Sequence, residues 1–325
     1  MSLCIKMTKT GKDITFAAEL LKQGKLVAIP TETVYGLGAD AFNSEAVAKI
    51  FEVKKRPSFD PLIVHIANIN MLDNLFEKPI NEKVFALADA FLPGALTIVH
   101  RKKNTVPDIV TSGLPSVAVR MPSHPIAREV IRLSGTAIAA PSANLFGQLS
   151  PTKAQHVAKQ QMDIDYILDG GDADFGIEST VVAVHDDLVT LLRPGAISIE
   201  ELKKVVPEIV PISEIKEKKI ESPGLLKSHY SPRKPLYILS KEDILLPQNA
   251  GLLAVSPNST MITTPQTIYL SNNGDLLQVA ANLFSALHAM EENPAVTEIY
   301  VQLVSEIGIG VAIMDRLRKA AYQYL

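Results

Sequence analysis

Apolar and polar residues alternate along the first part of the chain with periods that switch between helix and strand. Apolar residues at helical spacing from Thr10 to Lys22 predict a helix, with Thr10 as its cap and Gly24 as its end. The apolar segment LVAIP that follows predicts a strand. Asn43 is expected to cap a second helix, after which LIVHI at 62–66 predicts another strand.

The same alternation continues to about residue 205. The pattern predicts helices near 81–91, in IAREVIRL and after Ser150, with Ser150 as N-cap and Pro151 as the first helical residue. It predicts strands in ALTIVH, SVAVR and TAIAA. STVVAV and LVTLLR are separated by HDD, which is a hairpin spacing, and RPGAISIEEL begins a short helix. We therefore predict an α/β fold with a mixed sheet.

A composition change marks the end of this first unit. Residues 206–235 are rich in Lys, Glu, Pro and Ser and have no clear period, which is typical of a linker. Beyond them, LYIL, GLLAVS, TIYL and EIYVQLV predict strands, and VAANLFSALHAM and VAIMDRLRKAA predict helices. We expect a first domain at 1–205, a linker at 206–235 and a small α/β domain at 236–325.

Composition restricts the kinds of chemistry that the chain can perform. It has 325 residues, of which 47% are hydrophobic and 21% charged, as in a folded globular protein. No apolar run reaches about 18 residues and the first residues lack the apolar core of a signal peptide, so we expect a cytoplasmic protein without a membrane partner. Cys4 is the only cysteine, which excludes an internal disulfide, a zinc–thiolate site and CxxC chemistry.

Charge and histidine spacing restrict it further. The formal net charge of −3 disfavours a general nucleic-acid coat but leaves room for a local basic pocket that binds a phosphorylated ligand. The seven histidines form no HExxH or i,i+4 pair, so any metal is expected to have oxygen ligands. The sequence contains no Walker, GxSxG or kinase motif, which disfavours the common classes of phosphate-transfer and acyl-transfer enzymes.

The first candidate cluster is PTETVYGLG at 30–38, where a strand is expected to lead into a helix at a sheet edge. Gly36-Leu37-Gly38-Ala39-Asp40-Ala41 loosely matches a dinucleotide fingerprint, with Asp60 at about the required spacing. The polar run TETVY separates the expected strand from the first glycine, so the match is weak. A simple turn is the alternative interpretation.

Three more clusters carry charged and hydroxyl side chains. Lys54, Lys55 and Arg56 precede a Pro-rich turn and His65, although a solvated helix end would also place cations there. Ser116 and Arg120 lie at the ends of one expected strand, and the turn APSAN at 140–144 beside the helix start at Ser150 is a natural anion site. EST at 178–180 precedes RPG at 193–195, where Arg193 either faces the same edge or forms a structural ion pair.

Together these sequence motifs resemble the YrdC-like domain of the threonylcarbamoyl-AMP synthases. The matching words are PTETVYGLG, KxRP with PLIVH, PGALT, VAVRxP, APSAN, and STVV with RPG, over about residues 10–205. The linker word SPGLLKSHYSPRKP and the residues after it are similar to the two-domain branch of this family. The resemblance implies a YrdC-like twisted mixed sheet with helices, followed by a smaller Rossmann-like α/β domain.

The resemblance also implies an activity. Family members form threonylcarbamoyl-AMP and pyrophosphate from L-threonine, bicarbonate or carbon dioxide, and ATP, for threonylcarbamoyladenosine modification of tRNA. Mg²⁺ is expected to accompany ATP. A downstream threonylcarbamoyl-transfer enzyme and, indirectly, tRNA are the expected partners. The linker, residues 221–233 in particular, is expected to cover the site as a lid.

The family's functional residues carry over onto matching positions of this sequence. The resemblance implies catalytic roles for Lys54, Arg56, Ser142 and Asn144. It implies threonine contacts at Thr33, His65, Arg120, Ala140, Ser179 and Thr180. It implies ATP contacts at Arg56, Asp60, Ser116, Ser142, Ser150, Arg193 and Tyr230. Many relatives have Asn where this chain has Asp60, and a carboxylate near phosphates repels them unless it holds a metal or meets the base or ribose.

Two alternatives share the same fold. One is a related carbamoyl-adenylate transferase, such as a hydrogenase maturation factor, whose zinc-finger-like modules require more cysteines than the single Cys4. The other is an RNA-binding module without catalysis. The net charge of −3 and the absence of basic stripes with interleaved aromatic residues disfavour that second alternative.

Overall fold

The computed structural model describes residues 8–186, 188–214, 230–239 and 245–321. Within them, eleven strands form one mixed sheet in the order β1-β8-β2-β3-β7-β4-β6-β5-β9-β10-β11. These strands are β1 Thr10–Gly11, β2 Val27–Ile29, β3 Gly36–Asp40, β4 Ile63–His65, β5 Leu96–Arg101, β6 Ser116–Arg120, β7 Ile138–Ala139, β8 Tyr166–Leu168, β9 Thr180–His185, β10 Leu188–Arg193 and β11 Val210–Pro211. The expected mixed α/β fold is confirmed.

Helices cover both faces of this sheet. They are α1 Ile14–Lys22, α2 Ser44–Lys54, α3 Leu72–Leu75, α4 Glu82–Phe91, α5 Asp108–Thr111, α6 Pro125–Ser134, α7 Ala154–Ala158 and α8 Ile199–Lys203, with 3₁₀ turns at Ile69–Met71 and Ile212–Glu214. Strand β11 lies inside 206–235, which the sequence assigns to the linker. The described residues of that range therefore extend the large sheet by one strand.

Capping side chains set the helix starts, and one predicted start is wrong. The Asp13 side chain accepts a hydrogen bond from the Phe16 amide at 2.9 Å, so α1 begins at Ile14. Thr10 does not cap this helix, because it pairs with Ile167 in the parallel strands β1 and β8. The predicted cap of α2 is confirmed, since Asn43 accepts from the amides of Glu45 and Ala46.

Period-2 alternation distributes the strand side chains between two apolar layers. In β2, Val27 and Ile29 pack against α1 and α6, whereas Ala28 faces the opposite layer. Helices α2 and α4 cover that opposite layer, together with Leu37 of β3 and other buried apolar residues. All three residues of β2 are therefore buried, each against one layer or the other, which accounts for the continuous apolar segment at this strand.

The C-terminal unit is a four-stranded parallel sheet with two helices. Its strands are β12 Leu236–Leu239, β13 Ala250–Ala254, β14 Gln266–Tyr269 and β15 Glu298–Gln302, in the order β12-β15-β13-β14. Helix α9 spans Leu276–Glu292, with Asp275 as its N-cap, and α10 spans Ile309–Ala321. The small C-terminal α/β unit that the pattern predicts is confirmed.

The two units share one apolar cluster. Val34, Leu149 and Ile177 of the first unit pack with residues of α9 and α10. Gly176 has a φ of +66°, and a Cβ there would lie 2.4 Å from the Ala281 carbonyl oxygen, so only glycine permits this approach to α9. The C-terminal unit is therefore packed directly beside the edge of the large sheet where the candidate site lies.

Among the described residues, no helix is long and apolar enough to cross a lipid bilayer.

Candidate functional site

A cavity opens where the β2–β3 loop, the end of β6, the start of β9 and the C-terminal end of the linker converge. Several predicted site residues line it, namely Thr33, Arg56, Asp60, His65, Arg120, Ala140, Ser142, Ser179, Arg193 and Tyr230. The same wall includes Thr31, Gly36, Pro141 and Glu178. Residues far apart in the chain are brought together because the sheet order places their strands side by side.

The glycine-rich word is a strand rather than a phosphate-binding turn. Gly36–Asp40 forms β3, antiparallel to β2, with Gly36 opposite Ile29. The expected strand-to-helix transition is therefore wrong, and neither the weak dinucleotide match nor a simple turn describes Gly36–Asp40. Gly36 instead bridges to Ser142, so β3 positions the APSAN turn beside the cavity.

Arg120 is held by three groups at the end of β6. Its Nε donates to the Gly94 carbonyl at 3.1 Å, its Nη1 donates to the Thr33 hydroxyl at 2.7 Å, and its Nη2 lies 2.7 Å from Glu32 Oε1. Arg120 and Glu32 are both almost completely buried. Burial would raise the pKa of the Glu32 carboxyl, but the Arg120 charge and the hydrogen bonds to the carboxylate together lower it. The guanidinium fork is therefore rigidly oriented beside Thr33.

His65 lies at the end of β4 next to this pair. Burial, reinforced by the positive charge of Arg120, lowers the pKa of the imidazole to about 3. The ring is therefore neutral at physiological pH. Its Nδ1 is buried and has no hydrogen-bond partner among the described residues, so it is available to a polar ligand in the cavity.

Arg56 and Asp60 form a buried ion pair on the opposite wall. Arg56 Nη2 lies 2.9 Å from Asp60 Oδ2, and both side chains are less than a tenth exposed. Arg56 also donates to the carbonyls of Asp60 and Pro61 at 3.0 and 2.9 Å. The sequence raised the objection that the Asp60 carboxylate would repel a phosphate. The Arg56 guanidinium next to it offsets this repulsion.

Lys54 is buried behind the cavity rather than exposed within it. Its Nζ donates to the Ser142 carbonyl at 2.6 Å and also to the Asn144 carbonyl. Burial, together with the nearby Arg56 charge, lowers the pKa of this ammonium well below its usual value. The alternative of a solvated helix end does not apply to Lys54, which joins the last turn of α2 to the APSAN turn.

Asn144 stabilises the chain directly after the APSAN turn. Its Nδ2 donates to the carbonyls of Leu145 and Gln148 at 2.8 and 2.9 Å. Asn144 and Lys54 do not line the cavity, whereas Ser142, held between them, does. The direct catalytic roles of Lys54 and Asn144 stay predictions.

Arg193 ends β10 and faces the start of β9. Its Nη2 donates to the Ser179 carbonyl at 2.9 Å and to the Ser179 hydroxyl at 3.2 Å. Among the described residues it forms no ion pair, so the alternative of a structural ion pair is not realised in them. A Cβ on Gly195 would lie 2.3 Å from the Thr180 amide nitrogen, so the RPG word permits this close approach.

Besides Lys54 and Asn144, three more predicted residues lie outside the cavity lining. Thr180 is buried, and its hydroxyl exchanges hydrogen bonds with the carbonyl and amide of Ile197 at 2.6 and 2.9 Å. Ser116 begins β6 and Arg120 ends it, so about 13 Å separates the two positions along the strand. The third is Ser150. The threonine contact at Thr180 and the ATP contact at Ser116 stay predictions.

Ser150 is not a helix cap. Helix α7 begins at Ala154 and Lys153 occupies the N-cap position, so the predicted start at Ser150 and Pro151 is wrong. The Ser150 hydroxyl instead donates to Glu178 Oε1 at 2.5 Å. It therefore acts on the cavity through Glu178, and a direct ATP contact stays a prediction.

Tyr230 covers the cavity at the point where the described chain resumes. It is 1% exposed, packs 5.5 Å from the Phe284 ring centroid, and lies under the Arg316 guanidinium. Tyr230 was predicted to lie over the site, and in the structure it forms part of the cavity wall. Most of the expected lid at 221–233 lies outside the described residues, which resume at 230.

Two carboxylates of the site were not predicted. Glu32 and Glu178 both line or support the cavity, and each pairs with a buried arginine. A signal was available for both, since Glu32 lies within PTETVYGLG and Glu178 directly precedes the STVV word. Their arginine partners are distant in sequence, so the pattern alone gave no reason to assign them a role.

The arrangement suits an anionic ligand. Arg56, Arg120 and Arg193 point guanidinium groups at one cavity, where burial strengthens their interaction with phosphate or carboxylate. The carboxylates there are engaged by arginines, and the described part of the chain holds no group of three His, Cys, Asp or Glu side chains that could bind a metal.

Comparisons with known proteins agree with the resemblance in the sequence. Residues 19–195 match the family described as "Telomere recombination", and residues 197–322 match "Threonylcarbamoyl-AMP synthase, C-terminal domain". The chain is 43% identical to a threonylcarbamoyl-AMP synthase of Bacillus subtilis, covering 97% of this chain and 95% of the relative. It is 41% identical to that of Pyrococcus abyssi, covering 95% and 94%.

A solved structure is similar over the same extent. The crystal structure of P. abyssi Sua5 complexed with L-threonine superimposes with a TM-score of 0.85 at 36% identity, covering 97% of each chain. The similarity includes the mixed sheet and the C-terminal parallel sheet together.

Proposed function

The chain belongs to the threonylcarbamoyl-AMP synthase family, and we propose that it forms threonylcarbamoyl-AMP and pyrophosphate from L-threonine, bicarbonate or carbon dioxide, and ATP. The reaction class is nucleotidyl transfer. A separate threonylcarbamoyl-transfer enzyme then uses the product to modify tRNA, in the cytoplasm. The observation that carries the proposal is one cavity that combines a rigid Arg120–Thr33 pair with two further arginines, Arg56 and Arg193.

The reaction needs two new bonds. The threonine nitrogen bonds to the carbon of carbon dioxide and loses a proton, giving a carbamate. A carbamate oxygen then bonds to the α-phosphorus of ATP as the bond to the bridging oxygen of pyrophosphate breaks. If bicarbonate is the carbon source, formation of the carbamate releases one water molecule instead of a proton. Negative charge spreads over the phosphate oxygens in the transition state, so fixed cations accelerate this step.

We assign threonine to the end of the cavity formed by Thr33, His65, Arg120 and Ala140. Arg120 has a fixed orientation, because three groups hold its guanidinium, and it can attract the substrate carboxylate without a conformational search. The neutral His65 ring and the Thr33 hydroxyl offer hydrogen bonds to the threonine hydroxyl. A site that hydrogen-bonds this hydroxyl disfavours valine by several orders of magnitude.

We assign the ATP phosphates to the side formed by Arg56, Ser142 and Arg193. Arg193 forms no ion pair among the described residues, which supports a role in binding an anion. Ser142 presents its backbone and hydroxyl from a turn that Lys54 anchors from behind. Tyr230 closes this side and excludes water, which protects a product anhydride from hydrolysis.

We propose that Mg²⁺ arrives as part of the ATP substrate. The buried carboxylates Glu32, Asp60 and Glu178 each lie within 2.9 Å of a guanidinium nitrogen. Their charge is therefore compensated by the protein, and they are poor candidates for a resident metal site. The ion supplies charge neutralisation on the phosphate chain.

The test is product formation by the purified full-length chain. With MgATP, bicarbonate and threonine, we expect pyrophosphate and an adenylate whose mass is that of threonylcarbamoyl-AMP. Valine should give no such adenylate, and serine less than threonine. ADP as the nucleotide product, or no nucleotide turnover with any of the three amino acids, would contradict the proposal and favour the carbamoyl-transfer or RNA-binding alternatives.

A further inference from the structure

Arg316 is a residue of the C-terminal unit that reaches the cavity wall of the first unit. It lies on α10 and is 1% exposed. Its Nε donates to Glu178 Oε2 at 2.8 Å, and its Nη1 pairs with the neighbouring Asp315 at 2.5 Å. The guanidinium carbon also lies 5.4 Å from the centroid of the Tyr230 ring. Two elements of the site, Glu178 and Tyr230, thus depend on one side chain from outside the first unit.

Glu178 is a charge that the cavity must control. It lines the cavity while being only 7% exposed. Burial would raise the pKa of its carboxyl, but Arg316 first, then Arg193 and the Ser150 hydroxyl, lower it to about 2. The group is therefore an anion at neutral pH. An anion in this place repels a phosphate ligand unless a cation compensates it.

The arginines of the cavity differ in how far their charge is compensated. Arg56 pairs with Asp60, and Arg120 pairs with Glu32. Arg193 contacts Ser179 and forms no ion pair among the described residues. Glu178 directly precedes Ser179 in the chain, and the Arg193 charge helps to lower the pKa of its carboxyl, so Glu178 is near enough to compensate Arg193. In the structure the direct ion pair of Glu178 is with Arg316.

We propose that Arg316 is a positioning residue for ATP binding, because it neutralises and holds Glu178 and thereby leaves the Arg193 charge free for a phosphate group. This inference rests on the proposed function and deepens it. The C-terminal unit completes the electrostatics of the ATP site. Its docking on the first unit and the affinity of the site for ATP are therefore coupled.

The test compares four full-length variants in equilibrium binding of the magnesium complex of a non-hydrolysable ATP analogue. Arg316→Met should raise the Kd for this analogue by roughly 30-fold or more, which is the effect expected when one partner of a buried charge pair is removed. Glu178→Gln should bind the analogue at least as tightly as the unmodified chain. The Kd of the double variant Glu178→Gln/Arg316→Met should lie within about threefold of that of the unmodified chain, because the uncompensated Glu178 anion is gone.

Arg318→Met is the matched control. Arg318 lies on the same helix and pairs with Glu306 at the surface, so its loss should leave the Kd unchanged. Threonine binding should change less than about threefold in all four variants. A double variant that binds the analogue as weakly as Arg316→Met would overturn the proposal, since the defect would then come from lost packing rather than charge. Unchanged binding by Arg316→Met would overturn it as well.

The binding test stands apart from the proposed activity. If the chain made no threonylcarbamoyl-AMP but the four affinities followed the expected order, the charge role of Arg316 would hold and the proposed function would fail. If the chain made the product and Arg316→Met bound the analogue normally, this inference alone would fail.

Discussion

Lys54 and Lys55 are adjacent in the chain but have opposite surroundings. Lys54 is 1% exposed and donates to two carbonyls of the APSAN turn, whereas Lys55 is an exposed C-cap residue in the left-handed region. The sequence presents both simply as cations before a proline. Which of them turns inward depends on the helical phase of α2 and on a turn 88 residues away. Period analysis gives the phase approximately, but not the distant turn.

Lys54→Ala should reduce adenylate formation by about 100-fold or more, because the turn that carries Ser142 loses its anchor. The free energy of unfolding should also fall by about 1.5–3 kcal/mol for the lost charged hydrogen bonds. Lys55→Ala is the control and should change stability by less than about 0.5 kcal/mol. Pyrophosphate release and thermal melting measure the two effects. Normal product yield from Lys54→Ala would show that the anchor is dispensable.

At the level of elements, boundaries and close approaches were harder to predict than element types. The hairpin β9–β10, the helices α4, α6 and α9, and the C-terminal parallel strands all occur where the periodicity predicts them. The starts of α1 and α7 were wrong, because Thr10 and Ser150 bond to distant strands and carboxylates rather than to the helix that follows. Local propensity is overridden where a tertiary partner is stronger.

The RPG word provides a prediction about one such close approach. A Cβ at Gly195 would lie 2.3–2.6 Å from backbone atoms of residues 178–180, which cannot move aside without displacing β9. Gly195→Ala should therefore lower the melting temperature by several degrees and weaken ATP binding through Arg193. Gly274→Ala is the control, since that site has open space and a φ of +87°, and should cost only about 1 kcal/mol of backbone strain. Equal effects of the two substitutions would refute the steric argument.

Contacts between α7 and α9 predict a dependence of stability on pH. His156 and His288 stack with ring centroids 3.9 Å apart, and His288 Nε2 lies 3.1 Å from the Ser150 carbonyl. Burial, and then the His288 charge, lower the pKa of His156 to about 3 from its usual 6.5. Below pH 6.5 the unfolded chain therefore binds a proton that the folded chain refuses. Stability is full above pH 6.5 and decreases as the pH falls from 6.5 towards 3.

The expected slope is about 1.4 kcal/mol per pH unit for His156. His156→Gln keeps an acceptor for the Thr152 amide and should make the dependence shallower by about that amount between pH 6.5 and 5. Denaturant midpoints at pH 7.5, 6.5 and 5.5 measure it, with pH 7.5 as the baseline. Glu178 contributes in the same direction only below its usual pKa of 4.5. An unchanged slope in His156→Gln would exclude this source.

At the scale of the whole molecule, the sequence predicted the two sheets and most of the residues of the cavity, but not the contact between units. The short words PTETVYGLG, APSAN and STVV remain intact as pieces of the wall, so their resemblance to a family was informative. Arg316 lies 138 residues from Glu178 and occupies an ordinary amphipathic helix pattern. No local signal distinguishes it from Arg318, which is at the surface. Only the packing of α10 on the first unit separates them.

The most direct measurement of the central claim is exchange of labelled pyrophosphate into ATP by the full-length chain. Reversible attack of a carbamate on the α-phosphorus predicts exchange only when threonine and bicarbonate are both present, and none with valine. Exchange with threonine alone would mean that the amino acid carboxylate is adenylated instead. Absence of exchange under conditions that yield ADP would mean that the α-phosphorus is not attacked, and either result would contradict the synthesis of threonylcarbamoyl-AMP in this cavity.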